Sequence, residues 1–241
     1  MMAMKISVCI PMYNESSIIA DCARTLYDYM SANFEDFEIL FSDDGSRDGS
    51  GDIVRALELP CVRVVGYEQN QGKGCAVRTA MMAADGDIIM FTDADLAYGT
   101  EVIGRAVAAF EEKKDAQLVI GSRNISADGY EGYTFTRKLA SKAYIKVLCL
   151  VGGFKLSDSQ CGCKAFRRDA AKNIFSRAEV NGFAFDFEAL LWAGKLGYSI
   201  AEMPVKVINH RESKVNVLSD APKMLRDLHK MKKRIKRASI D

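Results

Sequence analysis

Five short apolar runs separated by helical segments constrain the fold of this chain more than any other feature of its sequence. The runs lie at residues 6–10, 37–44, 61–67, 87–95 and 116–123, and helical patterns fill 17–30, 48–57, 73–84 and 101–112. Strands that are apolar throughout are buried on both faces, as in a parallel sheet covered by helices. The sequence therefore predicts an α/β fold whose mostly parallel sheet is flanked by helices.

Polar side chains gather where the predicted strands end. In open parallel sheets, ligands bind beyond the carboxyl ends of the strands, so these positions are candidates for a binding site. They are, in chain order, Pro11, Tyr13, Asn14, Glu15, Asp43, Asp44, Glu68, Asn70, Asp93 and Asp95. The carboxylates at residues 93 and 95 consequently belong to the rim of the sheet rather than to its core.

The segment Asp93-Ala94-Asp95 carries the strongest chemical signal among these positions. Two carboxylates one residue apart after a strand can face a divalent cation and a diphosphate together, and hard oxygen ligands suit Mg²⁺ or Mn²⁺. The metal would neutralise charge on a departing diphosphate. Such a segment also occurs as a plain turn, but Asp43 and Asp44 at the end of a neighbouring strand favour a site.

Composition and motifs argue against several other classes of function. A net charge of +1 gives no overall field that would attract nucleic acid. The turn at 70–74, NQGKG, lacks the spacing and the Ser or Thr of a phosphate-binding P-loop. His210 and His229 have no serine or cysteine nucleophile motif beside them, and Cys161 and Cys163 lack the further ligands of a zinc site. We therefore expect neither such a hydrolase nor a zinc protein.

The length and the C-terminal charge pattern predict a catalytic domain over residues 1–215 and a basic amphipathic helix over 216–241. Seven cysteines without a secretory signal indicate reduced thiols and a cytoplasmic location. The longest apolar stretch, at 147–154, is far shorter than the ~20 residues of a membrane span. The last helix, predicted from Pro222, either lies on the cytoplasmic face of a membrane or packs its apolar stripe on the domain.

Successive motifs along nearly the whole chain resemble those of family 2 glycosyltransferases with a GT-A fold. They are VCIPMYNE at 8–15, SDDGSRDGS at 42–50, NQGKGCAVRTAM at 70–81, FTDADL at 91–96 and IGSR at 120–123. The later DSQCGCKAF at 158–166 and ESKVN at 212–216 are similar to the dolichyl-phosphate β-glucosyltransferase and bacterial polyprenyl-phosphate sugar transferase branch. The resemblance implies an inverting hexosyltransferase that moves glucose from UDP-glucose to a polyprenyl or dolichyl phosphate with Mg²⁺ or Mn²⁺.

The resemblance also assigns residues to the nucleotide sugar donor. The implied nucleotide-binding set is Pro11, Tyr13, Glu15, Asp43, Asp44, Lys73 and Asp93. Within this set Asp43 would read the uracil, while Asp93 and Asp95 would bind the metal and the sugar diphosphate. Lys214 would close over the diphosphate, so it joins Asp95 among the residues expected to act in catalysis.

A second group is implied for the acceptor phosphate, namely Arg123, Arg137 and Ser141. Arginine pairs bidentately with phosphate, and residues 137 and 141 share a face of the helix predicted at 137–151. Asp158 would lie near the acceptor as a further catalytic residue. Because a phosphate acceptor is already anionic, Asp158 would orient groups more than abstract a proton.

Several alternatives stay open on the sequence alone. Within the family they are a GDP-mannose-dependent polyprenyl-phosphate mannosyltransferase and a transferase with a saccharide acceptor. Many members carry transmembrane helices, which this sequence does not show. A nucleotidyltransferase that makes nucleotide sugars would share the sheet and the metal, but it typically has a Gly-rich loop where this chain has PMYNE. A non-catalytic binding module at a membrane surface is disfavoured by Asp93, Asp95 and Arg123.

Overall fold

In a computed structural model, which describes residues 4–126, 129, 135–153, 155–209 and 217–239, the chain forms one seven-stranded sheet with helices on both faces. The strands are β1 (Ile6–Met12), β2 (Phe37–Asp44), β3 (Val62–Tyr67), β4 (Ile88–Phe91), β5 (Leu118–Ser122), β6 (Lys164–Arg167) and β7 (Ile200–Pro204). The helices are α1 (Ile19–Asn33), α2 (Ser50–Ala56), α3 (Lys73–Ala83), α4 (Glu101–Glu112), α5 (Phe135–Gly152), α6 (Arg168–Phe175), α7 (Phe185–Lys195) and α8 (Val217–Arg237). The predicted α/β class is confirmed.

The order of the strands in the sheet is β3-β2-β1-β4-β6-β5-β7. Neighbouring strands are parallel except at β6, which runs antiparallel to both β4 and β5. The chain builds outward from β1 to β3 and then places β4 on the other side of β1, so the direction of winding reverses between β1 and β4. Such a reversal opens a crevice at the carboxyl ends of the strands, where ligand sites lie.

Alternate side chains of β1 enter two different cores. Val8 and Ile10 pack on the face covered by α1 and α4, whereas Cys9 packs on the face covered by α3, α6 and α7. On the second face the rings of Phe91 and Phe166 stack with their centroids 6.2 Å apart across the antiparallel pair. Because both faces are closed, the strand ends that border the crevice are held in fixed positions.

The end of β1 and the start of α1 are among the element ends near the crevice that differ from their predicted positions. β1 continues through Pro11 to Met12, and it pairs with β4 only as far as Cys9, so the missing N–H of proline interrupts no ladder on that side. Helix α1 begins at Ile19 rather than at residue 17, where the helical pattern predicted its start. The N–H of Ser16 instead donates to Asp48 Oδ2 at 2.9 Å, which ties this segment to the loop after β2.

Helix α8 packs its apolar stripe on the domain. It begins at Val217 instead of Pro222, and Leu228, Met231 and Ile235 are all buried. Arg234 forms ion pairs with Glu179 and with Glu188, whose carboxylate is fully buried near the start of α7. Of the two interpretations of this helix, packing accounts for Leu228, Met231 and Ile235, and the exposed side chains described along 227–237 are lysine, arginine and histidine. The division of the chain at residue 215 stays a prediction.

Two features of the described structure bear on the environment of the chain. Among the described residues, no helix combines the length and the apolar character that crossing a membrane requires. All seven cysteines are free thiols, and only Cys61 is exposed. Burial raises the pKa of the Cys161 thiol to about 11 and of the Cys22 thiol to about 12, so both side chains stay neutral and pack as small apolar groups.

Candidate active site

The loops that follow β1 and β2 are joined by hydrogen bonds between the backbone of one and the side chains of the other. Asn14 N–H donates to Ser46 Oγ at 3.0 Å, and Asn14 Oδ1 accepts from the Arg47 N–H at 2.9 Å. Glu15 N–H donates to Ser50 Oγ at 2.9 Å. Asn14 has a φ of 53°, a left-handed conformation that asparagine adopts more readily than most residues. These contacts fix one wall of the crevice from within the protein.

Residues predicted to hold the nucleoside lie on this wall. Pro11 is buried at the end of β1, while the Tyr13 ring is 39% exposed beside it in the chain. Asp43 is partly buried, and its Oδ1 accepts the Ser46 N–H at 2.8 Å. A Cβ atom at Gly51 would stand 2.5 Å from Asp43 Oδ2, so glycine leaves room for this carboxylate. An exposed ring and a fixed carboxylate together suit the recognition of a planar base.

Asp44 is held very differently from Asp43, although the two are adjacent. It is 3% exposed and accepts hydrogen bonds from Tyr67 Oη at 2.7 Å and Asn70 Nδ2 at 2.8 Å. The N–H groups of Gln71 and Gly72 donate to it at 2.8 and 3.0 Å. Asp44 therefore supports the turn that leads into α3. Direct contact between this carboxylate and a nucleotide stays a prediction.

The glycines of the NQGKG turn permit a close approach between two backbone segments. Gly72 has a φ of 108°, and a Cβ atom there would stand 2.6 Å from the carbonyl oxygen of Asn181. A Cβ atom at Gly74 would stand 2.4 Å from the carbonyl oxygen of Val180, and Gly74 N–H donates to Asn181 O at 2.7 Å. The turn is thus pressed against the segment before α7, and this contact sets where the intervening Lys73 lies.

Lys73 begins α3 and reaches the end of β4. Its Nζ lies 2.5 Å from Asp93 Oδ1. Burial alone would lower the pKa of Lys73, but the negative charges of Asp93, Asp186 and Asp95 raise it. The side chain therefore keeps its positive charge at the floor of the crevice, as the sequence interpretation of a lysine near a diphosphate requires.

Asp93 and Asp95 follow β4 directly, and both are partly exposed at the crevice. Asp95 Oδ1 accepts the Ala97 N–H at 3.1 Å, and Asp93 already binds a cation in the form of the Lys73 ammonium group. Carboxylate oxygens are the ligands that Mg²⁺ and Mn²⁺ take, so this donor set fits such a metal. Among the described residues, no three His, Cys, Asp or Glu side chains group as a metal site, so further ligands would come from a bound diphosphate or from water.

Gly162 connects this carboxylate pair to the loop before β6. A Cβ atom at Gly162 would stand 2.5 Å from Asp93 Oδ2, and the Gly162 N–H donates to Tyr98 Oη at 3.3 Å. Tyr98 is 7% exposed, and burial raises its pKa well above the ordinary value, so its hydroxyl stays protonated. No role was predicted for Gly162. The only sequence feature that marks it is its position between two cysteines in a loop motif.

Arg123 and Asp158 form a bidentate ion pair on the other side of Tyr98. Arg123 Nε donates to Asp158 Oδ2 at 2.7 Å and Nη2 donates to Oδ1 at 3.0 Å. The side chains are 12% and 0% exposed, respectively. Burial opposes the charge on Arg123, but the paired Asp158 carboxylate raises its pKa well above the ordinary value, so it stays cationic. Asp158 is thereby occupied in holding Arg123, which agrees with an orienting role.

The loop that carries Asp158 is itself anchored to β7. Glu202 Oε1 accepts the N–H groups of Ser157 at 2.9 Å and Asp158 at 3.3 Å. The Ser157 hydroxyl lies 2.5 Å from Ser122 Oγ at the end of β5, and Arg123 follows Ser122 directly. Both partners of the ion pair are therefore fixed at their backbones as well as through their side chains.

A buried lysine that the sequence analysis did not single out lies behind the crevice. Lys164 in β6 is 0% exposed, and its Nζ donates to Asp186 Oδ1 at 2.6 Å and to Cys161 O at 2.7 Å. Burial raises the pKa of Asp186, whereas the charges of Lys164 and Lys73 oppose that rise. In the sequence Lys164 stands among Cys163, Ala165 and Phe166, and a lysine buried with such neighbours needs a charged or polar partner.

Three predicted residues cannot be tied to the site through their side chains. Arg137 and Ser141 lie one turn apart in α5, but their side chains are outside the described part of the structure. Lys214 lies wholly outside the described residues, in the segment between β7 and α8. The roles expected for all three stay predictions.

Solved structures with a similar arrangement of strands and helices show which fold the chain has. Glucosyl-3-phosphoglycerate synthase from Mycobacterium tuberculosis, in complex with Mn²⁺, UDP and phosphoglyceric acid, matches with a TM-score of 0.72 at 21% identity over 99% of this chain and 80% of that chain. Mannosyl-3-phosphoglycerate synthase from Rubrobacter xylanophilus matches with a TM-score of 0.72 at 16% identity over 99% and 77%. At these identities the likeness shows the fold, which is that of a GT-A glycosyltransferase.

The chain belongs to glycosyl transferase family 2, whose sequence profile matches residues 7–175. A dolichyl-phosphate β-glucosyltransferase of Dictyostelium discoideum is 30% identical over 92% of this chain and 72% of its own length. The corresponding protein of Drosophila melanogaster is 30% identical over 94% and 74%. A UDP-N-acetylglucosamine–dolichyl-phosphate N-acetylglucosaminyltransferase of Methanococcus voltae is 27% identical over 83% and 84%. The family and the branch predicted from the motifs are confirmed.

Proposed function

We propose that this chain moves glucose from UDP-glucose to the phosphate of a polyprenyl or dolichyl phosphate, with inversion at the anomeric carbon. The names of relatives that align over most of their length support this acceptor and this sugar. The structural observation that carries the proposal is the presence of two clusters of charged residues on the side of the sheet where β1, β2, β4 and β5 have their carboxyl ends. We call Lys73, Asp93 and Asp95 the donor corner, and Arg123 with Asp158 the acceptor corner.

The donor corner suits a nucleoside diphosphate sugar. Tyr13 and Asp43 would hold the base, and the Lys73 ammonium group would contact the diphosphate from the start of α3. Asp93 and Asp95 would hold Mg²⁺ or Mn²⁺ through their carboxylate oxygens. The bound metal would supply positive charge against the negative charge that develops on the leaving diphosphate.

The acceptor corner suits a phosphate monoester. Arg123 is held by Asp158 through two nitrogens, so the planar guanidinium group is oriented before it meets an anion. Arg137 and Ser141 in α5 would complete the phosphate site, and Lys214 would contact the leaving diphosphate. An oxygen of the acceptor phosphate would attack the anomeric carbon, and the bond from that carbon to the UDP oxygen would break with its electron pair leaving on UDP.

This chemistry needs no general base, because the phosphate oxygen carries its charge at neutral pH. The pairing of Asp158 with Arg123 agrees with that requirement, since both carboxylate oxygens of Asp158 already accept hydrogen bonds from the guanidinium group. A saccharide acceptor would instead need a base to deprotonate an attacking hydroxyl. The ion pair therefore favours a phosphate acceptor over a saccharide acceptor.

The test is a transfer assay with purified protein, Mn²⁺ or Mg²⁺, a short water-soluble isoprenyl phosphate and a panel of UDP- and GDP-sugars. We expect UDP release that depends on the isoprenyl phosphate and is fastest with UDP-glucose. Fastest turnover with GDP-mannose would overturn the donor assignment. Turnover with a saccharide but with no isoprenyl phosphate would overturn the acceptor assignment.

UDP-N-acetylglucosamine belongs in the same panel as a second candidate donor, because the Methanococcus voltae relative spans most of this chain and is named for that sugar. Preference for this donor would change the sugar and leave the acceptor unchanged.

We further propose that the reaction takes place on the cytoplasmic face of a membrane. The seven free thiols support this location, since such usage is typical of reducing compartments.

A further inference from the structure

Helix α5 exposes several apolar side chains. Leu139 is 60% exposed, Val147 is 45% exposed and Leu150 is 81% exposed. Single exposed leucines are ordinary on protein surfaces, but large apolar residues grouped on one helix indicate a contact surface. Among the described residues, three other large apolar side chains are exposed by 45% or more, but they lie apart in the sequence and outside helices: Ile125, Phe183 and Ile208.

The exposed residues follow the periodicity of the helix. At 100° per residue, Leu139 and Leu150 fall within about 20° of each other around the helix axis, with Val147 about 80° from Leu139 on one side and Lys146 about 20° from it on the other. Ile145 and Cys149 are buried and hold a different side of the helix against the protein. We call Leu139, Val147 and Leu150 the apolar stripe of α5. Its outward direction is set by how the helix packs, so it is available to a partner outside the chain.

Positive charge accompanies the apolar stripe. Lys142 and Lys146 are exposed on α5 itself. Helix α8 packs against α5, and Lys232 Nζ lies 3.5 Å from the position of a Cβ atom at Gly153, directly after α5. The outer face of α8 adds the exposed side chains of Lys232, Lys233, Lys236 and Arg237. Leucines flanked by lysines on adjoining helices match the chemistry of an anionic lipid surface.

We propose that α5 docks the protein on an anionic lipid bilayer, with the apolar stripe entering the boundary between headgroups and acyl chains. Helix α8 contributes charge only, because Leu228, Met231 and Ile235 are buried against the domain. The inference rests on the proposed function, since a polyprenyl phosphate resides in a bilayer. Docking through α5 would bring the helix that carries positions 137 and 141 to the surface in which the acceptor phosphate lies.

The experiment is sedimentation of the full-length protein with vesicles of phosphatidylcholine, alone or with roughly one third phosphatidylglycerol. Wild type should bind the anionic vesicles more strongly. The double variant L139Q/L150Q should bind them roughly tenfold more weakly, because it removes two apolar side chains that would enter the bilayer. K146Q should reduce binding about fivefold and only on the anionic vesicles. M82Q is the matched control, since Met82 is 41% exposed in the last turn of α3, away from α5.

Activity separates this inference from the proposed function. L139Q/L150Q should keep wild-type turnover of a water-soluble isoprenyl phosphate and lose turnover of a long polyprenyl phosphate embedded in vesicles. No turnover of either acceptor by wild type would remove the proposed function while leaving vesicle binding measurable. Vesicle binding by L139Q/L150Q equal to that of wild type would overturn the docking proposal. A change in sedimentation velocity of that variant without lipid would overturn it in favour of contact between two copies of the chain.

Discussion

The donor corner and the acceptor corner lie at the same edge of the sheet, but their charged groups are held in different ways. On the donor side, Tyr13 is exposed and Asp95 is partly exposed, and the loop that carries Tyr13 is joined to the loop after β2 by hydrogen bonds between backbone and side chains. On the acceptor side, Arg123 and Asp158 form an ion pair that is almost fully buried. The difference suggests that the donor corner must admit a metal and a large nucleotide, whereas the acceptor corner must keep one guanidinium group oriented.

The comparison predicts that a change in the donor corner affects chemistry and spares stability. Asp95→Ala should lower kcat about a thousandfold, because it removes a carboxylate expected to hold the metal. Calorimetric titration with Mn²⁺ measures the loss of metal binding, and a thermal melt measures the stability. Asp52→Ala, at an exposed ion pair with Arg55, is the control and should match wild type in both. Normal turnover by Asp95→Ala would remove the metal assignment.

A change in the acceptor corner should affect stability as well. Asp158→Asn breaks a buried ion pair and leaves the Arg123 charge without its partner, so the free energy of unfolding should fall by about 3 kcal/mol. Denaturant titration measures this loss. The Michaelis constant for the isoprenyl phosphate should rise, because Arg123 is no longer held by two hydrogen bonds. The control Asp52→Asn should cost less than about 0.5 kcal/mol. Equal stabilities of the two variants would refute the contrast.

Asp44 provides a further test of the comparison between the two corners, since it is a buried carboxylate on the donor side. Asp44→Asn removes the charge that accepts hydrogen bonds from Tyr67, Asn70 and the turn before Lys73, and we expect a loss of about 2 kcal/mol in the free energy of unfolding. The Michaelis constant for the nucleotide sugar should rise and that for the isoprenyl phosphate should stay the same. A rise in the Michaelis constant for the isoprenyl phosphate alone would mean that the turn before Lys73 does not help to bind the nucleotide sugar.

The smallest expected effect tests the contact between the donor corner and Gly162, in the loop before β6. Gly162→Ala would place a Cβ atom 2.5 Å from Asp93 Oδ2 and displace that carboxylate, so kcat should fall about tenfold. Gly194→Ala is the matched control, because nothing lies within 4 Å of its added Cβ atom. It should leave kcat unchanged and raise stability by up to about 1 kcal/mol, since it lies in helix α7. Equal activities of the two variants would exclude a role for the contact.

The residues at the rim of the site could be predicted from the sequence because the pattern that marks them is local. Continuous apolar runs marked the buried strands, and the carboxylates of Asp93 and Asp95 had to lie where such a run ends. The distinction between Asp43 and Asp44 was not local. Adjacent residues of a strand point to opposite faces, and what each face meets depends on loops that lie far along the chain. The support that Asp44 gives to the turn at 70–72 therefore could not be predicted.

Long-range pairing explains the other features that were missed. Lys164 and Asp186 are 22 residues apart and meet only after β6 inserts between β4 and β5. The direction of β6 was equally hidden, because a strand of only four residues looks the same parallel or antiparallel. Helix α8 begins before the proline that marked its predicted start, which shows that a proline near the beginning of a helix locates its first residue poorly.

The central claim is that one edge of the sheet binds donor and acceptor at separate corners, and Arg123→Met tests it most directly. Steady-state kinetics with UDP-glucose and a water-soluble isoprenyl phosphate give the Michaelis constants of both substrates. We predict a rise of about tenfold or more in the constant for the isoprenyl phosphate and no change in that for UDP-glucose, because the variant removes one charged bidentate contact. A rise in the UDP-glucose constant with an unchanged acceptor constant would contradict the account.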